Sequence, residues 1–143
     1  MREILFKAKR TDSDTWIEGN LLTFDSRRYI INDIETIYYC PQCDREETRE
    51  AWFAVIPETV SQFTGLYDKN GVRIWENDIV RYADLTFNPN IGRFENMIFT
   101  SAVTYNLDNG CFSPFEPDTF ESYIRAENVE VIGNRFDNPD LLN

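Results

Sequence analysis

The chain has 143 residues, 42% hydrophobic, 15% aromatic and 27% charged, enough apolar surface to build a core, so disorder of the whole chain is excluded. Its 25 acidic residues against 14 basic ones leave a formal charge of −11, a field that repels phosphate backbones and anionic membranes. Histidine is absent, which removes Ser-His-Asp and Cys-His catalysis, the usual proton shuttle near neutral pH and the usual nitrogen ligand for a metal.

Ile4, Phe6 and Ala8 alternate with Leu5, Lys7 and Lys9, the period of a strand with one face on a core, so a first strand is expected near 3–9. TDSD at 11–14 is a turn cluster, and TWIEGNLLTF at 15–24 returns as a second strand in a hairpin with the first. YIIND and IETIYYC carry the strand pattern to residue 40. PQCDREETRE at 41–50 has no apolar residue but Cys43 and reads as an exposed loop, after which AWFAVI at 51–56 closes a long hairpin. Pro57 ends that strand, and 58–63 has room for one helical turn.

The stretch TGLYDKNGVRIWENDIVRY at 64–82 holds two turn signals among apolar residues that recur every second position. Asn70-Gly71 suits the positive φ angles of a tight turn, and Asn77 tolerates the left-handed region at a second corner, from which Asp78 starts a new strand. Two corners so close together are what a small, strongly bent barrel requires. ADLTFNPNIGRFE at 83–95 then reads as a loop or excursion, MIFTSAVTYN at 97–106 as a strand, LDNG at 107–110 as a hairpin turn continued by CFSPF, and NVEVIGN at 128–134 as the last strand. Pro139 at a first helical position marks a final turn in PDLLN. No apolar run is long enough to span a membrane, no signal-peptide pattern opens the chain, and three cysteines make no disulfide framework; together these point to the cytoplasm.

Three blocks, MREILFKAKR at the start, PETVSQFTGLYDKNGVRIWENDIV at 57–80 and VIGNRFDNPDLL at 131–142, are similar to the YopX proteins of bacterial phages and prophages. The resemblance spans the chain, and its most specific part is the TGL–DKNG–DIV run. The chain departs from that pattern at Asn77, where glycine is usual, and at Lys9, where tryptophan is usual. The resemblance implies a mostly β phage protein; it brings no assigned activity and no functional residues.

Chemistry has few footholds. Cys40 and Cys43 have the spacing of half a zinc site or of a redox dithiol, and Cys111 is the remaining soft donor, so Asp44, Glu46 or a second subunit would have to complete a metal site. The acidic surroundings at 44–50 disfavour a thiolate, and a plain turn with two thiols is the expected case. Asp68, Glu76 and Asp78 supply carboxylates of the kind that bind magnesium or calcium, but they stand where turns and strand starts use such residues, and they read as solvated corners. Phe112, Phe115, Phe120 and Tyr123 offer rings for stacking on bases, yet 107–124 contains no Lys or Arg to track a backbone, so they read as core.

The resulting expectation is a mostly β protein with an N-terminal strand meander over 1–56 and a C-terminal barrel-like lobe over 57–143. It has no cofactor, no metal and no catalytic residues, binds neither nucleic acid nor membrane, and forms a homo-oligomer or binds a host or phage protein. The alternatives are an acidic decoy that occupies the nucleic-acid site of a host protein, and a metal-dependent enzyme using the carboxylates or thiols named above.

Overall fold

Alternating side chains put apolar residues on one face of each strand, and hydrogen bonding between neighbours turns that pattern into antiparallel sheet. The computed structural model describes residues 1–40, 42, 45–116 and 124–143, with backbone alone at 32–40 and 45–51. The chain divides into two compact units, Met1–Gln62 and Phe63–Asn143. Among the described residues, all regular structure of more than one short turn is strand.

In the first unit, β1 (Phe6–Lys9), β2 (Trp16–Phe24), β3 (Arg27–Cys40) and β4 (Arg45–Ala54) pair in succession as an antiparallel meander. The expected N-terminal meander is therefore present. Its register explains its core: Ala8 stands opposite Ile17, Leu21 opposite Ile30, and Ile30 opposite Phe53. Ala8, Ile17, Ile30 and Val55 are buried, with Phe6, Leu21, Phe53 and Val60 packed on them. The single helical turn is present as a 3-10 turn at Pro57–Thr59, earlier than the 58–63 expected, and β5 (Ser61–Tyr67) follows at once, its first two residues pairing with β1.

The polar run after Cys40 is not all loop. Arg45–Glu50 belong to β4 and pair with the far half of β3, from Thr36 opposite Arg49 to Cys40 opposite Arg45. A strand needs backbone partners more than it needs apolar side chains, so a partner strand brings a charged stretch into the ladder. Pro41, Cys43 and Asp44 lie outside the described residues.

In the second unit, the rest of β5 pairs irregularly with β6 (Arg73–Trp75). A three-stranded sheet runs β11 (Glu130–Asn134), β7 (Asp78–Asn88), β8 (Arg93–Ala102), and β9 (Thr104–Asn106) pairs with β10 (Cys111–Ser113). Ile74, Val80, Val103 and Val129 form the buried centre, covered by Leu66, Tyr82, Phe112, Phe115 and Val131 among others.

Two expectations change here. The described strands form open sheets, not a closed barrel: no described strand pairs with the outer edge of β8. The segment 83–95 is not a loop either, since β7 and β8 continue through it in an unbroken register from Ile79 opposite Ala102 to Asn88 opposite Arg93. Only 89–92 turns, and the Asn-Pro-Asn that looks like a loop signal marks the tip of a hairpin arm.

Candidate functional site

The DKNG turn is a three-residue hairpin loop. The Gly71 N–H donates to the Asp68 carbonyl at 3.0 Å and the Asp68 N–H to the Val72 carbonyl at 2.8 Å. Gly71 alone takes a positive φ, 75°, while Asn70 does not, so the expected pair of positive angles reduces to one. The physical reason is the Asp68 side chain: its Oδ1 accepts the N–H of Asn70 at 2.8 Å and of Val72 at 2.9 Å, which holds the turn ahead of a single left-handed residue.

Asp68 is only 5% exposed and its Oδ2 also accepts the Val131 N–H at 3.0 Å. Burial pushes this carboxyl up, but the N–H groups of Val131, Val72 and Asn70, with Lys69 beside them, outweigh burial and hold it below the ordinary carboxylate value. Asp78 is 3% exposed, and its Oδ2 accepts the Trp75 N–H at 2.9 Å. Neither residue is the solvated corner expected from its turn position; each carboxylate is buried because it caps backbone donors that would otherwise lack partners.

Asn77 sits between them at φ 69°, the left-handed conformation that asparagine tolerates, so its substitution for glycine is accommodated. Its N–H donates to Val103 O at 2.7 Å, and the Arg135 N–H donates to Asn77 O at 3.0 Å. Lys69 N–H donates to Val129 O at 3.0 Å. The middle block of the sequence pattern is thus clipped to the segment 129–135 at three points beyond the β7–β11 ladder, which brings together two blocks far apart in the chain. Within the last block, Asn134 Oδ1 accepts the N–H of Phe136 and of Asp137, and the Asn138 side chain lies where a Cβ on Gly133 would fall, 2.5 Å from Asn138 Oδ1. Lys9, the other departure from the pattern, pairs its Nζ with Asp14 at 2.9 Å and stands 5.7 Å from the centre of the Trp16 ring.

Among the described residues, those singled out for metal chemistry do not come together. Among the described residues no group of three or more Cys, Asp or Glu could hold an ion. Cys111 is a half-buried free thiol at the start of β10, Cys40 ends β3, and Cys43 lies outside the described residues. Glu130 accepts from Arg81 at 2.8 Å and pairs with Lys69 at 3.4 Å; Arg81 first and Lys69 second hold its pKa below the ordinary value. Phe112 and Phe115 pack on the core as expected, Phe112 against Tyr105 at 5.2 Å, while Phe120 and Tyr123 lie outside the described residues. A cavity of about 240 Å³ lined by Leu66, Phe115, Ile124, Arg125, Ala126 and Glu127 falls below the roughly 300–1,000 Å³ usual for a small-molecule site.

What remains is the arm. Residues directly opposite in an antiparallel pair share a face, so Ala83, Leu85 and Phe87 on β7 lie on one face with Ile98, Asn96 and Phe94 on β8. That face is open: Leu85 is 59% exposed, Phe87 51%, Phe94 62% and Ile98 72%, with Phe87 and Phe94 edge to face at 5.3 Å. The charged residues of the arm, Asp84, Arg93 and Glu95, are on the other face, where the Asn88 side chain donates to Glu95 at 2.7 Å. Sequence reasoning missed this site. Its signal was present as alternation in ADLTF and RFENMI, masked by the turn residues between them.

A sequence profile of the family described as YopX protein matches residues 5–143, nearly the whole chain. The chain belongs to the YopX family. The crystal structure of protein EF1440 from Enterococcus faecalis is similar to it at a TM-score of 0.55 and 24% identity, covering 100% of both chains, a likeness of fold. No curated protein matches the chain. Among the described residues no helix is long and apolar enough to cross a membrane. The family's most specific motif is accounted for by corner geometry, with Thr64 Oγ1 donating to Ile74 O at 2.7 Å and accepting from Leu66 N at 3.1 Å in the same self-contained manner.

Proposed function

We propose that this YopX protein is a phage-encoded accessory protein of the bacterial cytoplasm that has no enzymatic activity and works by contact with protein surfaces. The observation that supports this reading is the apolar face of the β7–β8 arm, four large side chains each more than half exposed on a chain of charge −11. An exposed apolar patch of this kind on a soluble domain marks an interface. The decoy alternative is less favoured, because Asp68 and Asp78 are buried and contribute no carboxylate to an outward phosphate-like array. The net charge also supplies no counterion-release term for direct binding of nucleic acid.

The test places a photo-crosslinking phenylalanine analogue at Phe94 and, as control, at exposed Tyr105, in the bacterial host. Protein adducts are expected at position 94, reduced by Leu85→Glu, and not at the control. Equal labelling at both positions, or none at 94, overturns the reading. Gel-shift assays at low salt should show no retardation of DNA or RNA.

A further inference from the structure

We propose that the arm's apolar face is covered by the same face of a second copy of this chain, in a two-fold dimer whose β7–β8 hairpins stack as two layers. The inference rests on the reading that the arm is a protein-contact surface, and it names the occupant.

Two copies of a −11 chain repel each other, so an interface between them has to lie where the surface carries no charge. None of the six residues of this face, Ala83, Leu85, Phe87, Phe94, Asn96 and Ile98, is ionisable, and the arm's Asp84, Arg93 and Glu95 all stand on the opposite face. A basic partner would be met by unpaired acidic groups around the contact; beside this face stands Glu130, which is already paired with Arg81 and Lys69.

Taking about 200 Å² for a large side chain, Leu85, Phe87, Phe94 and Ile98 present on the order of 450 Å². A two-fold arrangement buries the same patch twice, about 900 Å², and Ile91 at the tip, also exposed, brings the total to the ~1,000 Å² that separates a specific interface from an incidental contact. The register of β7 and β8 has no bulge along the arm, so the face is a regular pleated surface, the kind that packs on another sheet about 10 Å away.

The experiment is sedimentation velocity on the full chain over a range of micromolar concentrations and salt. The wild type should dimerise, and raising salt from about 50 to 500 mM should strengthen the dimer, because screening relieves repulsion between two acidic bodies. Leu85→Glu and Phe94→Glu, with unchanged circular dichroism, should each weaken it more than about tenfold. The photo-adduct at position 94 in the pure protein should map to residues 83–98 of an identical chain. A wild type that stays monomeric, or a dimer indifferent to both substitutions, overturns the proposal. If the pure protein is monomeric while position 94 still captures a different protein in the host, the second copy is the wrong occupant and the contact-surface reading stands; if it captures nothing, both fall.

Discussion

Strand β7 belongs to two regions of opposite character. Its first residues, Asp78 to Val80, are buried in the corner built from 64–80 and 129–135, while from Ala83 onward its outward face lies open in the arm. In the corner Asp68, Asp78 and Thr64 direct side-chain oxygens at the protein's own backbone, and Asn77 is held through its backbone while its Oδ1 accepts from the Arg135 side chain. In the arm the backbone is satisfied by one regular ladder, and it is the apolar side chains that lack a cover. The difference separates maintenance of the fold from availability for contact: the motif richest in polar residues is scaffold, and the plainer alternation beside it is the exposed surface.

Substitutions in the corner should cost more stability than substitutions in the arm. The largest effect is expected at Asp68→Ala, which strands three backbone N–H groups of a nearly buried carboxylate; a loss of about 3 kcal/mol or more should appear as a lowered urea midpoint. A midpoint within error of the wild type would show that the clip between the turn and β11 contributes nothing.

Gly71→Val comes next. A Cβ at Gly71 would meet nothing within 4 Å, so the cost is backbone conformation alone, about 1–2 kcal/mol for a β-branched residue at φ 75°. Gly71→Asn should recover most of it. Equal costs for the two substitutions would mean that φ is not the constraint.

The corner's stability should also depend on pH. The folded pKa of Asp68 lies below its unfolded value of about 3.9, so its contribution is fully present above that value and is lost as pH falls through the folded pKa. The stability gap between wild type and Asp68→Asn should therefore be constant near neutral pH and narrow below about pH 4. A gap that widens on acidification would reverse the sign of the linkage.

The smallest effect on stability is expected in the arm. Leu85→Glu and Phe94→Glu replace exposed side chains and should shift the urea midpoint of the dissociated chain by no more than about 0.5 kcal/mol while changing association. A loss of several kcal/mol would mean that the arm's face is packed within the chain itself.

Periodicity and turn chemistry were readable from residues alone. Ala8, Ile17 and Ile30 fall on the core face that alternation assigns them, and Asn77 takes the left-handed corner its side chain permits, because these are local consequences of side-chain period and φ preference. The sheet's extent was not readable. Arg45–Glu50 and 83–88 became strand because a partner lay alongside, and pairing with a distant segment is invisible to a window of neighbours. The same holds for Asp68 and Asp78. Their positions announced turns, but their burial depends on Val131 and on the corner's packing, residues far away in the chain. Strands, corners, an acidic chain without histidine and a family motif were therefore legible along the chain. Which carboxylates are enclosed and which apolar face is left open depends on distant segments brought alongside, since enclosure is a property of the three-dimensional neighbourhood and not of the spacing along the chain.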